Sequence, residues 1–178
     1  MAAVIGIGIQ SFEKIRKNHY FYIDKTDFIR EWWESGDDVT LITRPRRFGK
    51  TLNMSMVEQF FSVDFRDQRE LFDGLSIWKN EYYRNIQGTY PVISLSFANV
   101  KEKNYPNARK KICQMLAELY TDHSFLLESD ALDEGDRTFF KRVAVEMDDV
   151  ELQWPFIIWR SFCICIMGKK SSYCWMNM

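Results

Sequence analysis

Two spacings of apolar residues alternate along the chain and predict its strands and helices. Short apolar runs that are rich in β-branched and aromatic residues and bounded by turn residues predict strands. Apolar residues that recur three and four positions apart predict helices with one buried face. The predicted strands cover residues 20–23, 39–43 and 90–97. The predicted helices cover residues 11–16, 28–33, 52–61, 64–74, 106–127 and 138–152, and residues 128–136 are expected to form an acidic connector.

The helix over residues 52–61 follows the second predicted strand and carries a continuous apolar face. Leu52, Met56 and Phe60 share one row of this helix, and Val57 with Phe61 occupies the next row. That spacing predicts a helix buried against a sheet. A strand, a loop and a helix, then a further strand and helix, predict an α/β protein whose parallel sheet is flanked by helices. The ligand is expected at the carboxyl end of the first core strand.

The loop between that strand and that helix has the chemistry of a phosphate-binding loop. Gly49 lets the backbone approach an oxygen closely, Lys50 can reach terminal phosphates, and Thr51 offers a hydroxyl to Mg²⁺. Backbone N–H groups at the start of the helix would face the phosphates. The predicted binding residues are Arg44, Pro45, Arg46, Arg47, Phe48, Gly49, Lys50, Thr51 and Leu52, with Thr51 also as the metal ligand.

The loop departs from the common pattern at one position, and two other interpretations stay open. The pattern GxxxxGK followed by Ser or Thr places a glycine where this chain has Arg44. The simplest alternative is a solvated lysine beside a helix cap, which the flanking strand and helix disfavour. The other alternative is a binding module in which Arg44, Arg46 and Arg47 grip a nucleic-acid backbone.

Composition limits the class of protein. The chain has 178 residues, 46% of them hydrophobic, and a formal net charge of −1, which argues against a disordered tail and a strongly basic nucleic-acid binder. Its four cysteines lack the paired spacing of a metal site. Residues 1–9 lack the positive region and the length of a signal or membrane segment, so a cytoplasmic protein without membrane contact is expected. The aromatic stripe at residues 28–33 predicts core packing rather than a base-stacking platform.

Three segments together resemble a known family, the predicted AAA-ATPase-like domain of bacterial P-loop NTPases. They are Gly8-Ile9-Gln10-Ser11-Phe12-Glu13-Lys14-Ile15-Arg16, then Tyr20-Phe21-Tyr22-Ile23-Asp24-Lys25-Thr26, and above all Leu41-Ile42-Thr43-Arg44-Pro45-Arg46-Arg47-Phe48-Gly49-Lys50-Thr51-Leu52-Asn53. The resemblance covers residues 6–152. It implies a P-loop NTPase-like parallel sheet, with ATP and Mg²⁺ held through Gly49, Lys50 and Thr51, and an arginine at position 44 is itself a feature of the family. Tyr22, Asp24, Lys25 and Thr26 also match the family, and only a structural capping role is assigned to them. Asp24 or Thr26 is expected to cap the helix predicted at residues 28–33.

The resemblance also implies parts that this chain does not show. Members of the family continue into a strand that ends in Asp-Glu, the Walker B motif, and then into a nuclease-like domain of the PD-(D/E)XK type. From Trp154 onward the composition changes abruptly, with several tryptophans and three of the four cysteines. We therefore expect residues 153–178 to be an aberrant tail, and the fold to be incomplete because it lacks the Walker B strand.

A shifted reading frame explains this tail. Joining the last base of each codon to the next two bases turns Cys174-Trp175 into Leu, Trp175-Met176 into Asp and Met176-Asn177 into Glu. The sequence read in the shifted frame is an apolar segment that ends in paired acids, which is the element that the family has at this place. The alternative is a genuine, divergent and aromatic-rich C-terminus. The gene sequence after codon 153 decides between them.

The expected function is ATP binding with Mg²⁺ by a P-loop domain truncated before its Walker B motif. Without the Asp-Glu pair no group is assigned to orient the attacking water, so no catalytic residue is named and negligible turnover is expected. Contact with nucleic acid is expected only through the absent nuclease-like domain. A third possibility is an inactive gene fragment that does not fold cooperatively.

Overall fold

The computed structural model describes residues 4–37, 40–45, 47–90, 92–128, 132–143, 147–148 and 173–177. The chain divides into two compact units, Met1–Ser94 with Asn177 and Leu95–Met176 with Met178. None of the helices in the described part of the chain combines the length and the apolarity that a membrane crossing needs.

Helices make up most of the first unit. They are α1 (Phe12–Lys17), α2 (Asp27–Ser35), α3 (Lys50–Phe61) and α4 (Glu81–Ile86), with 3-10 turns at Val63–Phe65, Arg69–Phe72 and Ser76–Lys79. Ser11 begins α1 because its hydroxyl accepts the N–H of Lys14. Gly36 ends α2 in the left-handed conformation that glycine adopts without steric cost. The first three helices confirm those predicted at residues 11–16, 28–33 and 52–61.

Aromatic rings from α1, α2 and α3 form the core of this unit. Phe60 meets Phe72 edge to face with ring centroids 5.1 Å apart, and Phe12 lies 5.2 Å from the same ring. Trp33 stacks on Phe61 at 5.3 Å. These contacts confirm that the aromatic stripe of α2 packs into the core, and they fix α3 from several sides.

The second unit contains α5 (Tyr105–Asp122), α6 (Glu134–Arg142) and 3-10 turns at Phe97–Asn99 and Ser124–Glu128. Cys113, Leu116 and Met147 form a buried cluster in this unit. Strand β1 (Val92–Ser96) begins in the first unit and ends in the second. It confirms the strand predicted at residues 90–97, and its neighbour in a two-stranded sheet is β2 (Tyr173–Asn177). The described part of the chain is thus mostly helical, and the larger parallel sheet of the predicted α/β fold stays a prediction.

Two of the predicted strands, at residues 20–23 and 39–43, are wrong. Residues 20–23 and the described part of 39–43 belong to neither a helix nor a strand. Leu41 is 75% exposed, and Phe21 and Ile23 are 54% and 65% exposed. A strand is defined by the ladder it joins, and the described residues beside these segments supply only isolated bonds, such as that from Phe21 N–H to the Val4 carbonyl at 2.8 Å.

Several predicted boundaries move. The helix expected at residues 64–74 is two 3-10 turns, and the long helix ends at Asp122, where Thr121 and Asp122 have low helix propensity. Part of the acidic connector is helical, because Asp133 and Asp136 form a capping box that starts α6 at Glu134. That helix ends at Arg142, short of the predicted residue 152. The predicted tail lies outside the described residues up to residue 172, and the domain boundary at 152 and the shifted frame stay predictions.

Candidate phosphate-binding site

The N-terminus of α3 places Lys50 at the end of a helix that has no competing cap. Gly49 occupies the cap position with φ 73°, no side chain caps the helix, and its first turn contains no acidic residue. The N–H of Asn53 donates to the carbonyl of Gly49 at 2.9 Å, which closes the first turn. The donors before it point out of the helix end together with the positive end of the helix dipole.

Two left-handed residues shape the loop just before that helix. Arg47 has φ 70° and Gly49 has φ 73°, with Phe48 between them. For an arginine this conformation costs about 1–2 kcal/mol, so the surrounding chain must impose it. A Cβ built on Gly49 meets no atom within 4 Å, so glycine is needed there for its conformation and not for space. Turns of this kind direct successive N–H groups into one concavity, which suits an anion.

The loop is also strongly cationic and open to solvent. Arg44, Arg47 and Phe48 are exposed, and Lys50 is half-buried. Within the described residues the side chains of Arg44, Arg47 and Lys50 make no ion pair or hydrogen bond. The sequence from Thr40 to Val57 contains no acidic residue, so nothing on this segment offsets the charge. These cations are available to a negatively charged ligand.

Of the predicted site residues, the structure brings Gly49, Lys50, Thr51 and Leu52 together on the first turn of α3. It places Arg44 and Pro45 on the irregular segment that precedes the loop. Arg46 lies outside the described residues. Thr51 is half-buried one residue after Lys50, which is compatible with the hydroxyl ligand expected for Mg²⁺. Among the described residues there is no cluster of three or more His, Cys, Asp or Glu side chains that could hold a metal without a phosphate.

The N-terminal segments hold α3 in place. The backbone N–H of Phe12 donates to the Ser55 hydroxyl at 3.2 Å, and the Tyr22 hydroxyl donates to the Met56 sulfur at 3.2 Å. Burial raises the pKa of Tyr22 to about 12, so the hydroxyl keeps its proton. The sequence did not predict the role of Ser55. Its place on the helix after the loop was the only feature that pointed to it.

Asp24 and Thr26 act on a different helix from the one that sequence reasoning assigned to them. Thr26 is the N-cap residue of α2, but its side chain makes no capping bond there. Instead Asp24 accepts the N–H of Ser76 at 2.7 Å, and the Thr26 hydroxyl accepts the N–H of Ile77 at 3.1 Å. The two side chains therefore cap the 3-10 turn Ser76–Lys79 across the fold.

Asp24 is held in its charged form by these bonds. It also accepts the N–H and the hydroxyl of Thr26, at 2.9 Å and 2.7 Å. Burial alone would raise the pKa of the Asp24 carboxyl, but the hydrogen bonds from Thr26 and Ser76 outweigh it and hold the pKa below its ordinary value of 3.8. This segment thus has a structural role, joining α2 to the turn that follows the aromatic core.

A cationic loop of left-handed residues before a helix without a side-chain cap has the geometry expected of a phosphate-binding loop. The family described as predicted AAA-ATPase matches residues 6–153, and the chain belongs to this AAA-ATPase-like family. An uncharacterized protein in the vnfD 5' region of Azotobacter chroococcum mcd 1 is 34% identical over 112 residues, 62% of this chain and 20% of that protein. The chain thus spans about a fifth of the length of that relative. No solved structure matches this chain.

Proposed function

We propose that this chain binds the triphosphate of ATP together with Mg²⁺ at the N-terminus of α3. The observation that carries the proposal is the pair of left-handed residues, Arg47 and Gly49, before a helix end that has neither a cap nor an acidic residue. Backbone N–H groups and the helix dipole would hold the phosphates. Membership of the AAA-ATPase-like family supports ATP as the nucleotide.

The proposal gives each part of the loop a task. Lys50 reaches from the first residue of α3 toward the terminal phosphates, and the Thr51 hydroxyl supplies one ligand to Mg²⁺, whose other ligands come from phosphate and water. Arg44, Arg46 and Arg47 offset phosphate charge, and Pro45, Phe48 and Leu52 carry the backbone around the anion. We assign no residue to the activation of water.

Replacing Lys50 tests the proposal. Isothermal titration calorimetry with Mg²⁺-ATP should show saturable binding by the wild-type chain and a loss of at least about tenfold in affinity for Lys50→Ala, since a charge-assisted phosphate contact is removed. Lys79→Ala is the matched control, because Lys79 is an exposed lysine of the same unit, far along the sequence from the loop. Absence of binding by the wild-type chain, or equal affinities for both variants, would contradict the proposal.

One observation favours a second candidate, the binding of a single-stranded nucleic acid. Phe48 is 62% exposed between cationic residues, and a ring in such a place can stack on a base. The net charge of −1 counts against it. A competition experiment separates the two candidates. Tripolyphosphate should displace a bound fluorescent ATP analogue if the loop binds phosphate groups alone. Displacement by an oligonucleotide that depends on Phe48 would favour the second candidate.

A further inference from the structure

An asparagine on α3, almost fully buried as a residue, makes no side-chain hydrogen bond within the described part of the chain. The buried polar side chains of the described residues are Thr26, Asn53, Gln59, Ser62 and Gln87. Four of them bond through their side chains, to Asp24, Ser55, Asp64 and the Phe65 carbonyl respectively. The side chain of Asn53 is only 3% exposed and makes no hydrogen bond within the part of the chain that the structure describes. Among the described residues, the fully buried side-chain atoms without a partner are oxygens of Gln59, Gln68 and Gln87, and no atom of Asn53 is among them. The Asn53 amide therefore still reaches solvent, and both of its N–H donors are available.

The position of Asn53 ties it to the phosphate loop. It lies three residues after Lys50 and four after Gly49, so the three share one side of α3. The Cα–Cβ bonds of a helix tilt toward its N-terminus, and a side chain covers the turn before its own Cα. The Asn53 amide therefore covers the turn where the loop enters the helix. Its backbone N–H already serves that turn through the bond to the Gly49 carbonyl at 2.9 Å.

The loop has a need that this amide can meet. When N–H groups of a loop turn inward to an anion, the carbonyl groups of the same peptides turn outward, and those facing the protein need donors. The primary amide of an asparagine offers two donors. Thr26, Gln59, Ser62 and Gln87 are already engaged, so among the buried polar side chains Asn53 alone has both donors available.

We infer that Asn53 is a positioning residue of the phosphate loop, whose side-chain amide donates to the loop carbonyl groups beside Gly49 when a phosphate is bound. The inference rests on the proposed function and adds to it the group that stabilises the occupied loop. It acts on the loop backbone and not on the base or the ribose. Its effect should therefore be the same for ATP and for tripolyphosphate.

Calorimetric titration of both ligands tests the inference. Asn53→Ala should bind Mg²⁺-ATP and tripolyphosphate about tenfold more weakly than wild type, since one buried hydrogen bond to the loop is lost. Gln59→Ala is the matched control, a buried amide on the same helix, and should stay within about twofold. A purely structural role would lower the melting temperature of both variants and leave both affinities unchanged, which would overturn the inference. Wild type that binds neither ligand would overturn the inference and the proposed function together.

A measurement on the unaltered chain covers the case in which Asn53→Ala does not fold. The sequence contains one Leu-Asn pair, Leu52-Asn53, so ¹³C-carbonyl leucine and ¹⁵N-asparagine labelling identifies Asn53 in the NMR spectrum. Saturating tripolyphosphate should shift the side-chain NH₂ signals of Asn53 downfield and slow their exchange with water. Unchanged side-chain signals in a chain whose Lys50 amide does respond would overturn the inference while leaving the proposed function in place.

Discussion

The N-terminal segments and the phosphate loop lie next to the same helix, α3, and are built in opposite ways. Residues 11–26 bury Phe12 and Thr26 completely and bond across the fold to Ser55 and Ser76. The loop before Lys50 exposes its cations and its phenylalanine and holds two residues in the left-handed conformation. The N-terminal segments stabilise α3, while the loop is less stable because it presents N–H groups and positive charge to solvent. Folding and binding are thus separable, and substitutions in the two regions should affect different measurements.

Replacing one phenylalanine in each region should give the largest contrast. Phe12→Ala should lower the free energy of unfolding by about 3–5 kcal/mol, because it removes a fully buried ring that contacts Tyr22 and Phe72. Phe48→Ala should change it by less than about 0.5 kcal/mol, since that ring is mostly exposed. Urea denaturation followed by circular dichroism measures both. If both variants lost the same free energy of unfolding, Phe48 would belong to the core, and the loop would not differ from the N-terminal segments.

Asp24 should make the N-terminal region sensitive to acid. Its pKa is lower in the folded chain, so the stabilisation is fully present above the ordinary value of 3.8 and is lost as the pH falls through the folded pKa. Asp24→Asn should cost about 1–2 kcal/mol near neutral pH, because the charged acceptor of the Ser76 and Thr26 bonds is gone. The cost should shrink below about pH 4.

Melting curves of Asp24→Asn and wild type at several pH values check this expectation. Glu70→Gln is a suitable control, since Glu70 is an exposed acid of the same unit. If the wild type and Asp24→Asn differ by the same amount at pH 7 and pH 3, the charge of Asp24 does not stabilise the fold.

The smallest expected effect on stability comes from replacing the two left-handed residues. These substitutions distinguish backbone strain from ligand binding. Arg47 in the loop and His19 after α1 both have positive φ, 70° and 52°. Glycine at either position should raise the free energy of unfolding by roughly 0.5 kcal/mol, the balance of relieved strain and added unfolded-state entropy. Only Arg47→Gly should weaken Mg²⁺-ATP binding, because it alone removes a cation from the loop. Weaker binding by His19→Gly as well would show that affinity follows global stability.

The sequence was sufficient to predict the elements that local patterns define. The apolar row of Leu52, Met56 and Phe60 locates α3, and the turn chemistry of Gly49 sets its start. Glycine and the arginines around it also identify the loop, because their chemistry is specific to anions. Each of these signals lies within a few residues of the feature it predicts.

Contacts between distant segments were not predictable in the same way. Asp24 and Thr26 looked like local caps, yet their partners, Ser76 and Ile77, are about fifty residues away in the sequence and carry no visible signal. The run at residues 39–43 has strand composition, but composition does not supply a neighbouring strand. The unpaired state of Asn53 likewise depends on what surrounds it in the fold.

Hydrogen exchange of the loop amides tests the central claim most directly. On addition of saturating Mg²⁺-ATP, the backbone N–H groups of residues 47–52 should exchange more slowly, because they donate to phosphate, while those of residues 11–26 should keep their rates. A chain that binds ATP with protection confined to other segments, or that shows no protection at residues 47–52, would contradict the account.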